Sequence, residues 1–152
     1  MELTIEYKPF AKQLEAHAKT EPIVAYFGGW GSGKTTWAIA ESFRNTCYLP
    51  GIPGILCSPS FPVQRKTLYP TIVSLFPGAS RWPRGREKAA DCLGPLAREW
   101  NAQDRVLTLD IGSPHTPASR GGTDWFFGSL DDPGAIEGGT YGWGIMDEAR
   151  LS

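Results

Sequence analysis

Gly28-Gly29-Trp30-Gly31-Ser32-Gly33-Lys34-Thr35 fits the pattern G-x-x-x-x-G-K-[ST] without a mismatch. That spacing describes a phosphate cradle, in which successive backbone N–H groups turn inward around a β-phosphate. The glycines allow dihedrals and close approach that side chains would block. Lys34 is placed to reach the β- and γ-phosphates as a point charge, and Thr35 to offer its hydroxyl to Mg²⁺. The candidate nucleotide-binding set is Gly28, Gly29, Trp30, Gly31, Ser32, Gly33, Lys34, Thr35 and Thr36.

The flanking sequence supplies the context this motif needs. Ile23-Val24-Ala25-Tyr26-Phe27 is a short apolar, β-prone run directly before the loop. Residues 36–45 directly after it read as a helix, with Trp37, Ala40 and Phe43 along one side. The positive end of that helix points at the same anion.

Beyond this unit, the periodicity predicts strands over residues 54–58, 105–111, 123–130 and 141–146. Helical patterns run over 12–19, 63–76 and 87–100, the last two interrupted at Pro70 and at Gly94-Pro95. No internal repeat is present.

Bulk properties bound the class. A chain of 152 residues with 41% hydrophobic and 20% charged residues suits one domain with a real core. The net charge of −1 gives no global attraction to nucleic acid, so any DNA contact must come from a local patch. Cys47, Cys57 and Cys92 are odd in number and lack C-x-x-C spacing, which suits a reducing interior rather than a disulfide framework or a zinc site. His17 and His115 lack metal-ligand spacing. No apolar run approaches the ~20 residues of a membrane span, so no membrane partner is expected.

A second informative stretch lies near the C-terminus. Tyr141-Gly142-Trp143-Gly144-Ile145-Met146 runs straight into Asp147-Glu148. Behind a phosphate loop, two such carboxylates divide the work. Asp147 would hold Mg²⁺ opposite Thr35, and Glu148 would orient and deprotonate the attacking water. Neighbours on a strand point to opposite sides, so the chain must bend there for both to face the phosphate.

Taken together, these motifs resemble the ATPase half of the phage large terminase subunit, a DNA-packaging motor. The loop at 28–35 looks like the family's phosphate loop. Residues 127–139, followed by Ile145-Met146-Asp147-Glu148-Ala149, are similar to the family's approach to its acidic motif. Tyr7-Lys8-Pro9-Phe10-Ala11-Lys12-Gln13 looks like its adenine-reading segment. There Gln13 would pair with adenine through its amide, with Phe10 near the base.

The resemblance implies an α/β P-loop NTPase fold of the additional-strand, catalytic-glutamate type. Its sheet is expected to be mainly parallel, flanked by helices, and to stop after the acidic-motif strand, leaving an apolar edge. Residues 1–152 would then be a partial ATPase domain, with a lead-in at 1–21, the phosphate loop at 28–35 and the acidic motif at 143–148. A nuclease domain would lie outside them.

The implied cofactors are ATP and Mg²⁺, with Glu148 and Lys34 as catalytic residues and Thr35 and Asp147 at the metal. The implied partners are double-stranded DNA, a portal protein, a small terminase subunit and further copies in a ring. The implied location is the host cytoplasm.

Two departures stand out. Many terminases carry Arg where Trp30 stands, and an Arg finger where Glu137 stands. Arg120 and Arg150 are the nearest substitutes in sequence. The basic cluster Arg81-Trp82-Pro83-Arg84-Gly85-Arg86-Glu87-Lys88 has two readings, a DNA-tracking patch or a solvated loop. Two alternatives to the motor stay open: a helicase-like translocase, and a nucleotide-binding or assembly module without hydrolysis.

Overall fold

The protein is described by a computed structural model that covers residues 4–29, 31–112 and 121–148. Trp30, His115, Arg120, Ala149 and Arg150 lie outside the described residues.

After helix α1 (Ala11–His17) comes α2 (Lys34–Tyr48), then strand β1 (Gly54–Ser58). Helices α3 (Phe61–Lys66), α4 (Leu68–Leu75) and α5 (Ala89–Leu93) follow. Strands β2 (Ala97–Asn101), β3 (Val106–Leu109), β4 (Thr123–Ser129) and β5 (Trp143–Met146) complete the order. They form one five-stranded sheet in the order β2-β3-β4-β1-β5.

The sheet is mixed α/β architecture but not mainly parallel as expected. β1 pairs in parallel with β4 and with β5, whereas β3 pairs antiparallel with both β2 and β4. For β2 and β3 the reason is connection length: the short turn after Asn101 permits only an antiparallel return. The parallel part is the part that carries the site. β1 is buried along its whole length, as a strand between two parallel neighbours should be.

Apolar periodicity accounts for the core. Leu107 and Leu109 on β3, and Trp125 and Phe127 on β4, project to one face. Ile39 and Phe43 of α2, Leu68 and Ile72 of α4, and Leu93 of α5 close over them. Trp125 is fully buried, and its Nε1–H donates to Thr46 Oγ1 at 2.8 Å. Burying a side chain of ~200 Å² contributes about 5 kcal/mol before entropy. Along α2 the buried face is Trp37, Ile39, Phe43 and Thr46, whereas Ala40 is only half-buried.

Three further expectations change. The helix over 63–76 is two helices, α3 and α4, and the break falls at Thr67 rather than at Pro70. Pro70 sits in the first turn of α4, where its missing N–H costs nothing. The pattern over 87–100 is a short helix and then a strand. Gly94, at φ 80°, turns the chain so tightly that a Cβ there would lie 2.1 Å from the Pro77 carbonyl oxygen.

The third change concerns the run before the phosphate loop. Residues 24–29 form no strand, and Ile23 and Phe27 are 88% and 85% exposed. Among the described strands β5 pairs only with β1 and stands at the sheet edge, and this run does not add to it. It is held instead through side chains. The Tyr26 ring stacks on Trp37 at 5.4 Å, and its hydroxyl donates to the Ser32 carbonyl at 3.3 Å.

Candidate nucleotide site

The glycine loop ends at Gly33, which adopts the left-handed conformation (φ 74°) and is the N-cap of α2. No side chain caps that end, so the first-turn amides are open to an anion. A Cβ on Gly33 would lie 2.6 Å from Gln13 Nε2, so only glycine fits against the residue beneath it.

Lys34 is the first residue of α2. Its ammonium donates to the carbonyls of Gly28 at 2.8 Å and Gly29 at 3.0 Å. The cation is thus already held over the loop's concave side by the loop itself.

Thr35 faces the acidic motif across the structure. Its hydroxyl donates to both Asp147 carboxylate oxygens, at 3.0 Å and 3.2 Å. Asp147 is 3% exposed, and its N–H donates to the Cys57 carbonyl at 2.8 Å, which extends the β1–β5 pairing by one residue. Burial pushes its carboxyl above the usual value, and the Glu148 charge adds to that. The Thr35 hydrogen bond and the Lys34 charge act in the opposite direction.

Glu148 has φ 56°, a conformation L residues avoid. That is the bend the sequence demands: it turns Glu148 out of the strand alternation so that it joins the loop in lining one cleft of about 1100 Å³. A hydroxyl and a carboxylate in contact, beside a lysine and a second carboxylate, suit Mg²⁺. This ion keeps most of its waters and takes one or two protein oxygens plus phosphate.

Gln13 sits elsewhere than at an open base pocket. It is 1% exposed beneath the loop. Its Oε1 accepts from the Phe10 N–H at 2.7 Å and its Nε2 donates to the Gly33 carbonyl at 2.9 Å. In this position the amide clamps the lead-in to the loop. Phe10 is 65% exposed beside it.

In the basic cluster, Arg84, Arg86 and Lys88 are exposed, whereas Trp82 and Arg81 are engaged within the chain. Trp82 stacks on Tyr69 at 3.9 Å and meets Trp100 and Phe127 edge-on, so the ring belongs to the core margin and presents no face to a base. Arg81 pairs with both carboxylate oxygens of Glu87, at 2.5 and 2.7 Å. That hydrogen-bonded ion pair, helped by the Arg84 N–H, pulls Glu87 down to about 2.

The opposite wall of the cleft is absent from the sequence reading. Val63, Lys66, Thr67, Pro70, Thr71 and Ser74 of the α3–α4 region line it. Their spacing of three and four is the only signal, and it looks the same for a surface helix face. Gln64, which carries no signal in the sequence, is buried and donates through Nε2 to the Gly128 carbonyl, tying α3 to β4.

Among solved structures, the chain is similar to the large terminase ATPase domain of Thermus phage P74-26. The match has a TM-score of 0.58 and covers 94% of this chain. The fold is that of a large terminase ATPase domain. The sequences are 21% identical and the match covers 54% of the other chain, so this chain spans about half of that domain's length. No family model matches the chain, and no curated protein matches it. The shared fold is a P-loop NTPase fold, as expected from the motifs. No helix among the described residues is long and apolar enough to cross a membrane.

Proposed function

We propose that this chain is the ATP-hydrolysing motor region of a phage large terminase subunit, acting on double-stranded DNA in the host cytoplasm. The observation that carries the reading is the Thr35–Asp147 contact. It brings the phosphate loop and the acidic motif into one site beside Lys34 and Glu148.

In this reading the loop amides and Lys34 hold the β- and γ-phosphates of ATP. Thr35 and Asp147 hold Mg²⁺, which when bound neutralises phosphate charge. Glu148 accepts a proton from the attacking water, whose oxygen bonds to the γ-phosphorus as the bond to the β–γ bridging oxygen breaks. The portal protein, the small subunit and neighbouring copies in a ring are the partners that would turn this cycle into DNA movement.

The deciding experiment is single-turnover phosphate release with the chain in excess over ATP, in wild type and Lys34→Ala. Release by wild type, with loss of nucleotide affinity in the variant, is expected. Tight ATP binding without any release would instead leave a nucleotide-binding module. Unwinding of a forked duplex would favour a helicase-like translocase.

A further inference from the structure

We infer that Lys66 is a second γ-phosphate ligand, supplying from the same chain a positive charge that the glycine loop lacks. The inference rests on the nucleotide reading above and extends it to the facing wall of the cleft.

A γ-phosphate offers only acceptor oxygens, so its ligands must donate. On the α3–α4 wall the side chains with polar atoms are Lys66, Thr67, Thr71 and Ser74. Thr67 Oγ1 donates to the Val63 carbonyl at 3.0 Å, Thr71 Oγ1 to the Thr67 carbonyl at 2.8 Å, and Ser74 Oγ to the Thr71 carbonyl at 2.7 Å. Their protons are committed to the helix backbone, and they present lone pairs to the cleft. Val63 and Pro70 have nothing to donate. Lys66 alone among these wall residues has N–H groups to give, and it has no ion-pair partner among the described residues.

Charge points the same way. The described residues lining the cleft include two cations, Lys34 and Lys66, and Lys34 is already shared with two loop carbonyls. Glu148 adds a negative charge to the same space. Transfer of a γ-phosphoryl group spreads charge over its equatorial oxygens, which a cation beyond Mg²⁺ and the loop lysine stabilises further. Lys66 ends α3 and lines the same cleft as the loop, on a flexible four-carbon stem.

A merely structural role is also available, because a lysine in the last turn complements the helix dipole. The two roles separate by nucleotide. Calorimetric titration of wild type, Lys66→Ala and Lys66→Arg would use Mg-ADP and a Mg-ATP analogue with an imido β–γ bridge. If Lys66 binds the γ-phosphate, Lys66→Ala loses about tenfold in affinity for the ATP analogue. Affinity for ADP stays within about twofold, and Lys66→Arg restores most of the loss.

Equal losses for both nucleotides, or no loss for either, would overturn the assignment of Lys66 while leaving the nucleotide site intact. A wild-type chain that binds neither nucleotide would overturn the nucleotide reading, and this inference with it.

Discussion

The Thr35 hydroxyl donates to both carboxylate oxygens of Asp147, a residue 112 positions later in the chain. This contact fixes the register between two motifs that the sequence leaves independent. The contact favours the Asp147 carboxylate, but burial outweighs it. Burial raises the Asp147 carboxyl above its ordinary value of 3.8. The folded state therefore binds this proton more tightly than the unfolded chain does. The stabilising contribution is full below pH 3.8 and is lost as pH rises through the folded value. Mg²⁺ needs the anion, so its affinity should fall as pH drops toward that raised value. Mg²⁺ titrations at pH 5 and pH 7.5 should show weaker binding at the lower pH in wild type. Asp147→Asn should bind weakly at both.

Glu148 combines a chemical role with a strained backbone. Glu148→Gln should bind ATP normally and release phosphate about 10² to 10⁴ times more slowly, as loss of a general base predicts. Glu148→Gly should be equally inactive yet more stable by up to about 1 kcal/mol, because glycine adopts φ 56° without the penalty. Single-turnover assays and denaturant unfolding of the same two variants check both statements.

Gln13 holds the loop from below, so its removal should act on the loop and not on the base. Gln13→Ala leaves the Gly33 carbonyl and the Phe10 N–H without these partners. The expected cost is about 1–3 kcal/mol of stability. Affinities for ATP and GTP should fall together. A selective loss for ATP, measured by competition binding, would return Gln13 to the adenine-reading role.

Trp125 anchors the core beneath α2. Trp125→Ala should cost about 3–5 kcal/mol through lost burial and the cavity left behind. Trp125→Phe should cost less, because it keeps an aromatic ring against Phe43, which packs edge-on at 5.0 Å. Thr46 remains tied through its own donation to the Ser42 carbonyl at 2.8 Å. Guanidinium unfolding midpoints would rank the two.

What the sequence made legible was local. The glycine loop, the helix it opens and the acidic pair carry their chemistry in residue type and spacing. The bend at Glu148 followed from strand alternation alone. What stayed hidden depends on partners far along the chain. Ile23-Val24-Ala25-Tyr26-Phe27 has strand composition whether or not a sheet edge receives it. Trp82 reads as a nucleic-acid contact among arginines until Tyr69 and Trp100 are seen to enclose it. Lys66 was invisible because a cation on a polar helix face has no signature until the loop is placed opposite.

The absence of sheet pairing before the loop has a thermodynamic consequence. α2 fixes the loop's exit in the core, but residues 24–29 make no strand, so the loop's entry is secured by side-chain contacts of Tyr26 and Lys34. A site clamped firmly on one side only binds with its intrinsic affinity multiplied by the occupancy of its competent shape. Whatever stiffens residues 24–27 then tightens nucleotide binding without touching the nucleotide. By reciprocity, nucleotide binding stiffens residues 24–27 to the same degree.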